Sequence, residues 1–226
     1  AKKGGVNCDV LLMSATPIPR TMMMSIYGDM DTSRLMEKPI QRKRIVTLSK
    51  PENKINDLWP FINKKIKEKE QIFWVCPLID DSSKLDFSST TKLFDLLSKK
   101  FNKKVGVIHG ALDQDEKERV LKDFLNNKIS ILVSTTVIEV GIDFPNATAI
   151  IIENANKFGL AQLHQLRGRI GRGDKPGTCI LMFKNQLSVN ARKRIQILKS
   201  SDDGFYIAEE DMELRGYGDI IGFKQS

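Results

Sequence analysis

The sequence predicts an α/β protein, a parallel sheet with helices on both faces, and three observations support this reading. Six short β-branched or apolar runs recur between residues 44 and 183, helix-length amphipathic stretches fill the gaps, and the two alternate. Parallel strands need a crossover between them, and the amphipathic stretches are long enough to supply it. At 226 residues and 25.6 kDa the chain can bury a real core.

The predicted strands cover residues 44–49, 71–77, 104–109, 129–134, 149–153 and 179–183. A first helix is marked by Ile55, Leu58, Ile62 and Ile66 at helical spacing, with Pro60 predicting a kink or a later start. Leu93, Leu96 and Leu97 mark a second. For the third, Asp113 followed by Glu116 has the form of a capping box, and Val120, Leu121, Phe124 and Leu125 make one apolar face. Residues 80–90, rich in Asp, Ser and Thr, read as a mobile polar loop on the surface. Phe73 and Trp74 fall inside a strand and are expected in the core, away from any base-stacking surface.

The first 39 residues read differently. A strand-like run at 9–14 leads into TPIPR at 16–20 and a Met-rich helical stretch at 21–27, with no further strand before Lys38-Pro39. They are expected to be the end of a preceding domain, with residues 1–40 packing against a second copy of the chain or lying apart from the sheet.

Composition narrows the class. Hydrophobic residues make up 41% and charged residues 28%, no apolar run reaches the roughly 20 residues of a membrane span, and a cytoplasmic protein is expected. Cys8, Cys76 and Cys179 are few and far apart, so neither a disulfide framework nor a metal centre is expected. A net charge of +8 and a pI near 9.3 favour a polyanionic partner. Residues 163–199 hold nine Lys or Arg against the single acid Asp174, and residues 200–226 reverse the sign with seven acids. Such a pattern suits a basic working surface braced by an acidic segment.

The most informative segment is QLHQLRGRIGRG at 162–173, where Arg169 and Arg172 come after Gln165 and Gly168. Placed on one helical edge, two guanidinium forks could clamp the charge of a transferring phosphoryl group. Upstream, LVSTTVIEVGIDFP at 132–145 offers Thr135 and Thr136, whose hydroxyl and N–H donors suit a nucleic-acid phosphate. In the same run Gly141 permits close approach and Asp143 could accept hydrogen bonds from a ribose hydroxyl. His109-Gly110 ends another strand in a small turn. Each of these segments is expected at the carboxyl end of a strand, where open α/β sheets place their ligands. No Gly-x-x-x-x-Gly-Lys-Ser/Thr loop occurs, so Arg169 and Arg172 stand without a phosphate cradle of their own.

Together with LMSATPIPR at 12–20, these segments in this order resemble motifs III, V and VI of superfamily-2 helicases. Nearly the whole chain is similar to the carboxyl-terminal motor half of the RecG family. Residues 14–21 and 158–172 are shared by RecG and the transcription-repair coupling factor, whereas residues 27–32, 75–80 and 201–211 resemble RecG. The resemblance implies a RecA-like second helicase motor domain over 40–186, the end of the first motor domain over 1–39, and a translocation-motif helical hairpin with its loop over 187–226.

It further implies an ATP-dependent DNA helicase that remodels stalled replication forks and branched recombination intermediates. Double-stranded branched DNA would be its substrate, and ATP with Mg2+ would sit in a cradle supplied by the first motor domain. A wedge domain would be a further partner, and the fragment alone is expected to be inactive. Among the residues, Gln165, Arg169 and Arg172 would be catalytic, with Gly141 and Asp143 at the nucleotide. Thr135, Thr136, His109 and Gly110 would meet DNA. Coupling would fall to Ser14, Thr16, Arg194, Glu213, Arg215 and Gln225. Two alternatives stay open, a coupling-factor motor domain and a non-catalytic basic nucleic-acid-binding module.

Overall fold

The computed structural model describes residues 43–77, 83–101, 104–135, 144–184 and 186–215 together with Leu11, Asp31 and Ser33; for residues 83–89 it describes the backbone alone. Six parallel strands, β1 (Ile45–Pro51), β2 (Gln71–Val75), β3 (Val105–Ile108), β4 (Ile131–Ser134), β5 (Ala147–Ile152) and β6 (Gly177–Phe183), pair in the order β1-β6-β5-β2-β4-β3. All six expected strands are present. β2 lies between β5 and β4 with every residue buried, because parallel sheets are covered on both faces and their inner strands read as continuous apolar runs.

Side-chain alternation sorts the strands between two cores. Ile72 and Trp74 of β2 face α1 (Trp59–Lys67) and α2 (Ser83–Lys100), where Leu58, Ile62, Leu93 and Leu97 are buried. Phe73 and Val75 face α3 (Gln114–Leu125) and α4 (Leu160–Arg167) on the opposite side. There the rings of Phe73, Phe124 and Phe144 stand 5.2 to 5.5 Å apart in tilted and edge-on contacts. Gln71 is 1% exposed, and its amide donates to the carbonyls of Phe124 in the last turn of α3 and Ile129 beyond it.

Helix boundaries reflect local chemistry. A 3-10 helix over Glu52–Leu58 precedes α1, and Pro60 sits in the first turn of α1, where its missing N–H costs nothing. Asp113 caps α3 by accepting from the Glu116 N–H at 2.7 Å. Two sequence readings need correction. Helix α2 starts at Ser83, so residues 83–90 are helical and not part of a polar loop. Ser and Thr are only modest helix formers, but the packed second half of α2 carries the ladder through them. Leu125, expected on the apolar face of α3, is 44% exposed, because it lies one position off the stripe that meets the sheet.

Two further helices, α5 (Val189–Ser200) and α6 (Gly204–Arg215), form the carboxyl-terminal pair. Ser188 caps α5, and Asp203 accepts from the Phe205 and Tyr206 N–H groups at the start of α6. Ile195, Leu198 and Ile207 belong to the same apolar cluster as Leu160, Leu163 and Leu166. The pair therefore shares a core with α4. The expected strand and linker over 1–39 lie outside the described residues, apart from the three isolated positions.

Candidate functional site

Helix α4 buries Leu160, Leu163 and Leu166 along one stripe and ends at Arg167, with Gly168 as its carboxyl cap. Arg169 and Arg172 therefore stand in the turn beyond the helix and not on a helical edge. Ile170, fully buried between them, anchors that turn to the core. Gly171 adopts φ +69°, a left-handed conformation that glycine supplies without strain, and its N–H faces the Ala147 carbonyl at 3.4 Å. A Cβ on Gly173 would lie 2.6 Å from the Pro145 carbonyl oxygen, so only glycine lets these two backbones pass.

These contacts place the arginine turn at the amino ends of β5 and β6, which corrects the expectation of a strand carboxyl end. The reason is directional: α4 runs back antiparallel to the strands, so the turn after it lies at the opposite edge of the sheet. Arg172 is exposed and its Nε leans on the Gly168 carbonyl at 3.4 Å, while Arg169 is half-buried. Partial burial and the neighbouring Arg172 cation both pull the Arg169 pKa below its ordinary value, and the group stays charged. Two like charges kept together in this way form a donor set for an anion. Gln165 is exposed on the last turn of α4.

At the other edge, the carboxyl ends of β3 and β4 bring His109 and Thr135 side by side, Ile108 pairing with Ser134. Thr135 is buried and its N–H already donates to the Ile108 carbonyl at 3.3 Å, so that backbone donor is in use. His109 is half-buried, and burial together with Lys117 lowers its pKa against the opposing pull of Glu116. Gly110 is exposed, and a Cβ there would meet nothing within 4 Å, which leaves the turn open to a close external approach. Strand length separates the two edges by about 13–20 Å at roughly 3.3 Å per residue. Thr136, Gly141, Asp143, Ser14, Thr16 and Gln225 lie outside the described residues, although Pro145, two positions after Asp143, meets the arginine turn directly.

The amino end of α4 is gripped by the carboxyl-terminal pair. Arg194 of α5 donates from Nη1 to the Phe158 carbonyl at 2.7 Å. On α6, Asp211 accepts from the Leu160 N–H at 3.2 Å and pairs through its second oxygen with Arg215 Nη2 at 2.9 Å. Gly159 leaves room for that guanidinium, since a Cβ there would stand 2.8 Å from Arg215 Nη2. A cavity of about 310 Å³ lies among Gly159, Asn190, Arg194, Asp211, Leu214 and Arg215. Lys193 and Glu210 join the two helices at 3.5 Å, so the acidic segment does brace the basic one. Glu213 is exposed.

Sequence reasoning missed Asp211 and Arg167. The i, i+4 spacing of Asp211 and Arg215 signals a helical ion pair, but nothing in the sequence says that Asp211 also caps another helix. Arg167 looked like one more surface cation and is 3% exposed.

A second ionic contact ties down the exit of the arginine turn. Glu70, buried just before β2, binds Lys65 at 2.5 Å, Lys175 at 3.1 Å and the Thr148 hydroxyl. Burial raises the Glu70 pKa, but the three donors and the Lys65 charge outweigh it and leave the carboxyl below its ordinary value. A carboxyl depressed in the folded state adds stability that is present above its unfolded pKa and lost as pH falls through the folded one. Glu70→Gln is therefore expected to lower the thermal midpoint at pH 7, with the gap closing only as pH falls below the ordinary glutamate range of about 4.3. Thermal melts of both proteins from pH 7 to pH 3 check this; a constant gap would contradict it.

Residues 53–174 match the family model for the helicase conserved C-terminal domain. ATP-dependent DNA helicase RecG of Bacillus subtilis is 46% identical over 98% of this chain, and that of Thermotoga maritima is 44% identical over 98%. The chain spans about one third of the length of these curated relatives, 33% of the first and 28% of the second. A solved structure of RecG bound to a three-way DNA junction superposes with a TM-score of 0.77 at 43% identity, covering 92% of this chain and 27% of that one. The second domain of the DEAD-box helicase Mss116p, solved on an RNA duplex, shares the fold with a TM-score of 0.54 at 24% identity, covering 71% of this chain and 62% of that one.

Proposed function

Because the chain belongs to the helicase conserved C-terminal domain family, we propose that it is the second motor domain of a RecG-type, ATP-dependent DNA helicase that remodels stalled forks and branched intermediates. The observation that carries this reading is the division of labour between the two edges of the sheet. Arg169 and Arg172 sit on a glycine-pinned turn at one edge, and the His109-Gly110 and Thr135 turns sit at the other. A motor needs this separation, since hydrolysis at one site must move a polymer held at another.

Arg169 and Arg172 fit the phosphates of ATP as paired cations that neutralise developing charge, with Mg2+ and the phosphate loop contributed by the first motor domain. Gln165, exposed one turn before them, is placed to orient the same group. Asp143 and Gly141, assigned from the sequence segment alone, would serve the nucleotide side. On the DNA side, Gly110 allows a backbone to come close, and Thr135 and Thr136 add hydroxyl contacts. Relatives named RecG, and a RecG structure on a three-way junction, favour branched duplex DNA as the substrate over the polymerase-linked role of a coupling factor.

The amino-terminal grip on α4 supplies the coupling element. Arg194, Asp211 and Arg215 hold the turn that starts α4, and Arg169 and Arg172 come just after its other end. A displacement of the arginine turn on hydrolysis would thus reach the α5–α6 pair through one short, rigid helix. Ser14 and Thr16, Glu213 and Gln225 belong to the same pathway in this reading.

Two preparations test the assignment. The 226-residue chain alone is expected to show no DNA-stimulated ATP hydrolysis, and the chain joined to its first motor domain is expected to hydrolyse ATP and unwind a synthetic fork. Vigorous DNA-stimulated turnover by the isolated chain would overturn it.

A further inference from the structure

Arg167 is the last residue of α4, two positions before Arg169, and it points into the protein. Its Nη1 donates to the Leu198 carbonyl at 2.6 Å and the Ser201 carbonyl at 2.9 Å, with the Thr47 hydroxyl of β1 at 3.4 Å. Its Nη2 meets His164 Nδ1 at 3.0 Å. A guanidinium has no acceptor, so Nδ1 must accept and the imidazole proton must sit on Nε2. Leu198 and Ser201 lie in and just after the last turn of α5, whose carbonyls lack helical partners and carry partial negative charge.

Burying an arginine this completely is costly unless each donor finds a partner. A leucine or methionine would fill the same volume between α4 and α5 without that cost. What the guanidinium adds is geometry: a planar fork meets two carbonyls and an imidazole only when the three elements stand in one arrangement. Moreover, the turn bearing Arg169 and Arg172 begins at the next residue, with the Arg169 N–H bonded to the Leu166 carbonyl at 3.0 Å and the Ile170 N–H to that of Arg167 at 3.4 Å.

We propose that Arg167 is a positioning residue for the arginine pair: its buried fork locks the carboxyl end of α4 to α5 and β1, and His164 holds the fork in plane. The proposal rests on the motor reading above, in which Arg169 and Arg172 act on a nucleotide. It goes beyond that reading because it makes α4 a strut fastened at both ends. The first fastening is the contact of Arg194 and Asp211 with its amino end, and the second is Arg167.

The test uses the full-length helicase and four measurements. Arg167→Lys keeps the charge and loses the fork; kcat per nucleotide-binding site, counted by titration with a fluorescent ADP analogue, is expected to fall tenfold or more with KM for ATP within twofold. His164→Ala is expected to lower kcat about threefold, and His164→Asn, whose Oδ1 can replace Nδ1, to restore it. Hydrogen exchange of the amides at 200–206 is expected to speed up in Arg167→Lys whether or not ATP is present. Parental turnover per site in Arg167→Lys, or equal rates for His164→Ala and His164→Asn, would overturn the proposal. If Arg167→Lys does not fold, the two His164 variants decide. A parent protein without DNA-stimulated hydrolysis would sink the motor reading instead, and the exchange measurement would still decide whether Arg167 fastens α5.

Discussion

On the proposed motor reading, Arg172→Ala in the full-length protein is expected to lower kcat for ATP hydrolysis by roughly a thousandfold or more, the range for arginine fingers, with DNA affinity nearly unchanged. The fold isolates the effect. Arg172 is exposed, so its removal leaves no cavity, and its Nε bond to Gly168 at 3.4 Å is too long to matter much for folding. Its position also separates the two explanations for a basic residue in a DNA motor. The arginine turn lies at the amino ends of β5 and β6, a strand length away from the His109 and Thr135 turns. Steady-state ATPase at saturating DNA and fluorescence-anisotropy binding to a fork decide the matter. If DNA binding collapses while turnover at saturating DNA holds, Arg172 is a backbone contact and the edge assignment is inverted.

The sheet was largely legible because buried parallel strands announce themselves as apolar runs such as 71–75 and 147–152. Helix α3 was legible for a different reason, since Asp113 and Glu116 encode its start in local chemistry. The amino-terminal half of α2 was hidden because Ser and Thr carry no apolar period, and its helicity is borrowed from Leu93 and Leu97 packing behind it. At the site, residue identity was readable but position was not. Arg169 and Arg172 stood out as a pair, whereas their edge of the sheet depends on the direction in which α4 returns. Arg167 and Asp211 were hidden altogether: their roles lie in contacts to residues 31 and 51 positions away, which no local pattern encodes.

Arg215→Ala is expected to separate hydrolysis from movement, leaving DNA-stimulated ATPase within a fewfold of the parent while fork unwinding falls at least tenfold. Magnitudes exclude a folding explanation. The Arg215 side chain is 52% exposed, and its i, i+4 pair with Asp211 is of a kind worth only about 0.3–0.5 kcal/mol, so the fold should barely register the loss. Function should register it more, because Asp211 caps the Leu160 N–H and Arg215 is what holds that carboxylate in place. Arg194→Ala removes a charged hydrogen bond to the Phe158 carbonyl, worth about 1.5–3 kcal/mol, and should uncouple more completely at some cost in stability. Both variants leave the Arg167 contacts at the other end of α4 intact, so on the proposed reading hydrolysis is expected to survive. The measurement is ATP consumed per base pair unwound, with thermal melts as the control for folding. Parallel loss of ATPase and unwinding in Arg215→Ala would mean that the α6 contact is needed to assemble the nucleotide site, and α4 would then be part of the catalytic scaffold without transmitting anything.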